Sequence, residues 1–111
     1  RSSDLNMSTD YPIVDIDPFN NIYAALTRCL TDGTPMGPNR EDVMDIWETL
    51  YGYTYSGAYV LGVEEELGSL QPGKKADIAV LDGRIIDEAP EDLLGKKALL
   101  TIMDGKVVYQ R

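Results

Sequence analysis

The chain contains no histidine. A Ser-His-Asp triad, a histidine metal cluster and an imidazole proton shuttle therefore have no members here. A single cysteine, Cys29, excludes an internal disulfide and leaves the redox compartment open. Cationic residues are scarce: 10 Lys and Arg stand against 19 Asp and Glu, for a formal charge of −9. Nucleic-acid partners are not expected, because phosphates are neutralised by Lys and Arg. An anionic membrane surface is not expected for the same reason. No apolar run nears the roughly 20 residues that span a bilayer. Arg1-Ser2-Ser3-Asp4 leads into no apolar signal segment, so cytoplasmic is the default expectation for its location. The remainder is ordinary: 111 residues, 43% hydrophobic and 26% charged, suit one compact unit without repeats or low-complexity tracts.

The N-terminal half reads as helical and the C-terminal half as strands. Residues 5–9 (Leu-Asn-Met-Ser-Thr) form a short strand candidate that stops at Asp10, ahead of the Tyr11-Pro12 break. Asp17-Pro18 starts a helix, with a carboxylate cap and Pro at the first helical position. Phe19, Ile22, Tyr23, Leu26 and Leu30 give it one apolar stripe. Residues 31–38 read as a loop. Asn39 is expected to cap a second helix that buries Val43, Ile46, Trp47, Leu50 and Tyr51, with Gly52 ending or weakening it. Thr54 is expected to cap a third, short helix that stops at a left-handed Gly62.

Beyond Gly62, residues 67–73 are dense in turn formers. Residues 76–81 read as a strand and 90–94 as one helical turn. The apolar runs 99–103 and 106–109 flank Asp104-Gly105, a hairpin signal, because both central residues of a type I′ turn need positive φ. Such a sheet is thin and has long unpaired edges. The pattern is that of a part of a larger architecture.

Gly68-Ser69-Leu70-Gln71-Pro72-Gly73-Lys74-Lys75-Ala76-Asp77-Ile78-Ala79-Val80-Leu81-Asp82 resembles the segment near the C-terminus of amidohydrolase-superfamily enzymes. The pattern there is Gly-x-Leu/Ile-x-Pro/Val-Gly-Lys-x-Ala-Asp, three hydrophobic residues, then Leu-Asp. Residues 101–109 resemble that family's closing hairpin, and residues 54–62 its T-x-x-x-A-x-x-L-G helix. Ser8-Thr9-Asp10-Tyr11-Pro12-Ile13-Val14 is similar to the G-S-D-x-P-V run that ends the eighth barrel strand, with Ser-Thr-Asp in place of the commoner Gly-Ser-Asp. The Asp17-Pro18 start and residues 23–28 resemble the amidohydrolase-3 branch, which includes N-acyl amino-acid deacylase-like and exoenzyme-regulator-like proteins. The likeness runs from about Leu5 to Tyr109.

This resemblance implies an α+β fragment. Residues 1–62 would be the end of a metal-dependent hydrolase (β/α)8 barrel, namely its last strand and helices. Residues 63–111 would be C-terminal strands of a composite β-sandwich. The family's His-x-His pair, its lysine or equivalent metal bridge and its later histidine ligands lie on earlier strands and are missing here.

The resemblance also implies a role for Asp10. In the family the matching aspartate contacts a metal or its bound water and moves a proton from that water to the leaving nitrogen. Asp10 is thus the candidate catalytic residue, and a metal ligand only together with ligands absent from this chain. A divalent metal, zinc foremost, is expected in the parent enzyme. None is expected in this chain alone, since one carboxylate cannot assemble a site of about three or four ligands. Without the resemblance, an aspartate after a short strand and near Pro is a turn former or cap. Asp4 is a lesser rival. Asp15 and Asp17 read as surface and cap, Cys29 as a small buried hydrophobe, and Glu64 to Glu66 as a solvated run. Tyr51, Tyr53, Tyr55 and Tyr59 suggest aromatic packing. Asp77 is expected to fix backbone at the sandwich edge.

The expected function is that of a C-terminal fragment of a metal-dependent amidohydrolase acting on amides or N-acyl amino acids, inactive in isolation. Its partners would be the missing N-terminal part, a small amide substrate in the parent, and other copies of itself through its exposed edges. The alternatives are a non-catalytic binding or oligomerisation module and a regulatory relative whose metal site is lost.

Overall fold

The structure is a computed structural model and describes residues 5–111. Helix α1 (Pro18–Thr27) begins as the sequence predicts: the Asp17 carboxylate accepts the Phe19 N–H at 2.9 Å, and Pro18 has no N–H to leave unpaired. It buries Phe19, Ile22 and Tyr23. The helix stops one turn short of the predicted stripe. Arg28 turns left-handed (φ 53) and its N–H reaches Ala24 O. Leu30 therefore lies outside the helix and is 51% exposed.

Helix α2 (Ile46–Tyr53) starts later than expected. Its cap is Asp45, not Asn39. The Asp45 carboxylate accepts the Glu48 N–H at 2.8 Å, and the Glu48 carboxylate accepts the Asp45 N–H at 3.0 Å. This reciprocal box satisfies two otherwise orphaned donors, whereas an Asn39 side chain would satisfy one. Val43 thus precedes the helix. Ile46, Leu50 and Tyr53 face the core, while Trp47 is 64% exposed, contrary to its expected burial. Gly52 is the penultimate residue of the helix, which stops at Tyr53, and it is buried.

Helix α3 (Tyr55–Val60) follows at once. The Thr54 hydroxyl donates back to Leu50 O at 2.8 Å rather than capping α3. Gly62, at φ 71, supplies the left-handed stop.

The C-terminal half contains β1 (Ile78–Leu81), α4 (Pro90–Leu93), β2 (Ala98–Met103) and β3 (Lys106–Gln110). The strands form one antiparallel sheet in the order β1-β2-β3. Ile78 pairs with Ile102 and Val80 with Leu100, and Thr101 pairs with Tyr109 across the hairpin. Asp104 (φ 49) and Gly105 (φ 76) both take the positive φ that the predicted turn demands. All of β3 is exposed.

Residues 5–9 do not form a strand. A strand needs a ladder partner, and among the described residues none runs beside this segment; its backbone is held instead by the end of α2, where the Met7 N–H donates to Gly52 O at 3.1 Å.

The core crosses both halves of the sequence. Phe19, Ile22 and Leu93 are buried together, with Leu26, Ile46, Leu50, Tyr53, Leu81 and Ile85 packed around them. Beside it, Asp82 clamps the start of β2. Its carboxylate accepts the Lys97 N–H at 3.0 Å and pairs with Arg111 at 3.3 Å. The Lys97 hydrogen bond, with help from Arg111, holds the Asp82 carboxyl below the ordinary carboxylate range. The folded state therefore binds this proton less readily than the unfolded chain. Stability from the clamp is full above about pH 4 and is lost as pH falls through the lowered value. Between about pH 5 and pH 2, the thermal midpoint should fall less steeply in Asp82→Asn than in the wild type. Parallel curves would show that the clamp carries no linkage.

Candidate functional site

Asp10 is placed by three local devices. Residues 5–9 lie against α1 and α2. Gly52 permits that approach, since a Cβ there would come within 2.7 Å of Met7 Cγ. The Asn21 side chain, from α1, donates to Ser8 O at 3.0 Å and to the Tyr53 hydroxyl of α2 at 2.8 Å. The chain then turns sharply. Asp10 adopts φ 49, a left-handed conformation that Asp tolerates better than most residues. Its N–H donates to Ser8 Oγ at 3.2 Å, and its carbonyl accepts the Ile13 N–H at 2.9 Å. The Tyr11-Pro12 bond that follows is cis. The outcome is an exposed acidic residue on a turn tied to two helices.

The other acidic candidates do structural work. Asp15 accepts the Ile16 N–H at 2.7 Å, and Asp17 caps α1. Asp4 lies outside the described residues. Glu66 pairs with Lys75 at 3.3 Å on an exposed face, but Glu64 departs from the expected solvated run: it is half-buried, and its Oε2 is buried without a hydrogen-bond partner among the described residues. Among the described residues, no three His, Cys, Asp or Glu side chains group to hold a metal ion. Asp10 by itself does not fit a metal centre.

The Gly68 to Asp82 motif proves to be architectural. The Lys74 ammonium donates to Ser69 Oγ at 2.8 Å and to Glu64 O, and lies 5.4 Å from the Tyr55 ring centroid. It thereby ties the loop after α3 to α3 itself. Asp77 accepts the Asp104 N–H at 2.8 Å, fixing the hairpin turn as expected of it. Tyr51, Tyr55 and Tyr59 pack in series, with centroids 5.2 Å and 6.5 Å apart. Burial, with lesser pushes from Tyr51 and Glu64, raises the Tyr55 phenol above its ordinary range. Cys29 is buried, as expected, and Arg40 donates to its Sγ at 3.2 Å.

Sequence reasoning missed Asn21 and saw Tyr53 only as packing. One signal was available: Asn is a poor helix-interior residue, because its amide competes for backbone partners. Its presence on α1 needed a reason, and the bridge to Ser8 supplies it.

A model of the amidohydrolase family matches residues 3–109. The N-substituted formamide deformylase of Arthrobacter pascens is 31% identical over 89 residues, 80% of this chain and 16% of that protein. Protein LONG AFTER FAR-RED 3 of Arabidopsis thaliana is 30% identical over 89 residues, 80% of this chain and 15% of that one. A 5-methylthioadenosine/S-adenosylhomocysteine deaminase of Teredinibacter turnerae is 46% identical over 37 residues. A crystal structure of an amidohydrolase from Thermotoga maritima superposes with a TM-score of 0.71 at 23% identity, over 97% of this chain and 23% of that one. The chain thus spans about one-sixth of the first two curated relatives and under a quarter of the solved chain. No helix among the described residues is long and apolar enough to cross a membrane. A family match over almost every residue, joined to a shared fold, places this chain in the amidohydrolase family.

Proposed function

We propose that the chain is the C-terminal part of a hydrolase that cleaves a non-peptide carbon–nitrogen bond, in an amide or an N-acyl amino acid, with Asp10 as its proton-transfer group. Family membership supports C–N hydrolysis in general, and two relatives carry names of that chemistry, a formamide deformylase and a deaminase. The observation that carries the finer reading is an exposed carboxylate on a braced turn, at the position of the resemblance. A carboxylate suits the task because it is basic at neutral pH and can hold a proton briefly. Asp10 takes a proton from the attacking water as the new C–O bond forms. It gives that proton to the nitrogen as the C–N bond breaks, so it ends unchanged.

The described residues make no cation site. Any divalent ion, zinc in this proposal, is held in the parent mainly by residues outside the chain. Residues 1–62 would close the barrel and residues 63–111 would contribute to the sandwich. The rest of the parent would pack against the exposed Trp47 and the outer strand, where Val107 and Tyr109 are half exposed. Alone, the chain is inactive.

The test is amine release from a panel of N-formyl amines, N-acyl amino acids and cyclic amides. The parent should turn over at least one class, and the isolated chain none. A parent inert toward every class, or an active isolated chain, would overturn the proposal.

A further inference from the structure

We infer that Asn21 is a positioning residue for the reaction, holding the Asp10 turn at the orientation that turnover requires, with Tyr53 fixing the Asn21 amide in turn. The inference rests on the reading of Asp10 as the proton-transfer group. Its warrant is the bond pattern. Both hydrogens of the Asn21 amide are used, one on Ser8 O at 3.0 Å and one on the Tyr53 hydroxyl at 2.8 Å. Ser8 in turn receives the Asp10 N–H on its hydroxyl at 3.2 Å. A path of three hydrogen bonds therefore runs from α2 through α1 to the backbone of Asp10.

The only other backbone tie between α2 and residues 5–9 among the described residues is Met7 N–H to Gly52 O, at 3.1 Å. That bond fixes the segment before the turn but not the direction in which the turn leaves. Without Asn21, the Ser8 carbonyl loses its anchor on α1, and the Asp10 turn is held less firmly against the helices. Proton transfer needs heavy atoms within about 2.6–3.2 Å. A misplacement of about 1 Å costs on the order of 100-fold in rate.

The experiment uses the full-length parent with a substrate it turns over. Asn21→Ala should lower kcat about 10- to 100-fold while KM changes less than about 3-fold. Asn21→Asp keeps the shape but removes both donors and sets an anionic oxygen against the Ser8 carbonyl. Its kcat should fall at least as far. A residue that merely filled space would leave Asn21→Asp near wild type. Tyr53→Phe deletes one hydroxyl and should lower kcat about 3- to 10-fold with the thermal midpoint little changed. If Asn21 variants do not accumulate as folded protein, Tyr53→Phe decides the matter. Wild-type kcat in Tyr53→Phe and Asn21→Asp, beside an inactive Asp10→Asn, would overturn this inference and leave the role of Asp10 standing. An active Asp10→Asn would remove the role itself.

Discussion

Replacing Asp10 by Asn in the full-length parent should lower kcat by about 10²–10⁴-fold, the range by which positioned acid–base groups accelerate proton transfer. The substitution isolates the chemistry. Asn has nearly the same shape, accepts the left-handed φ of 49 as readily as Asp, and keeps the N–H bond to Ser8 Oγ. What it lacks is a basic oxygen able to take a proton at neutral pH. Because Asp10 is exposed, the change should move stability by no more than about 0.5 kcal/mol. Steady-state kinetics paired with a thermal melt separates the two effects. Turnover close to wild type would defeat the assignment. A collapse of stability in step with activity would recast Asp10 as a residue of the turn alone.

Gly68→Ala should be the most damaging small substitution to the fold, at about 3 kcal/mol. Two costs add. At φ 92 an L-residue is strained by about 1–2 kcal/mol. A new Cβ would also lie 2.8 Å from Ala58 Cβ and 3.0 Å from Tyr55 Cα, atoms that no rotamer change can move aside. Gly73 provides the control. It has the same φ of 92 but open space around the would-be Cβ. Gly73→Ala should therefore cost only about 1–2 kcal/mol. Urea unfolding of both variants measures the difference, which is the overlap alone. Equal midpoints would mean that α3 does not press on the loop at Gly68.

The features legible in the sequence were those written in neighbouring residues. Asp17-Pro18 announced α1, Asp104-Gly105 announced the hairpin, and Gly62 announced the end of the helical half; each needs only local backbone physics. Asp77 was read correctly as a backbone clamp, although its partner, Asp104, lies 27 residues away. The second helix is capped at Asp45 rather than Asn39: the apolar spacing points back to Val43, but the reciprocal Asp45-x-x-Glu48 box, itself a local signal, sets the start of α2. Leu30 and Trp47 fell outside the core because helix ends and facing were decided by packing, not by periodicity.

By itself, then, the sequence determined the turns, the Asp17 cap of α1, the Gly62 stop, the β-hairpin and an acidic residue near a proline ahead of the first helix. Those follow from steric limits on φ and from hydrogen bonds spanning a few residues. Only the tertiary structure decided that residues 5–9 would rest on helices rather than pair as a strand. It alone joined Ser8, Asn21 and Tyr53, the last two being 32 residues apart. A side-chain amide has no sequence signature for a distant partner. Its bonds exist only once the burial of Phe19, Ile22 and Leu93 has brought the helices together.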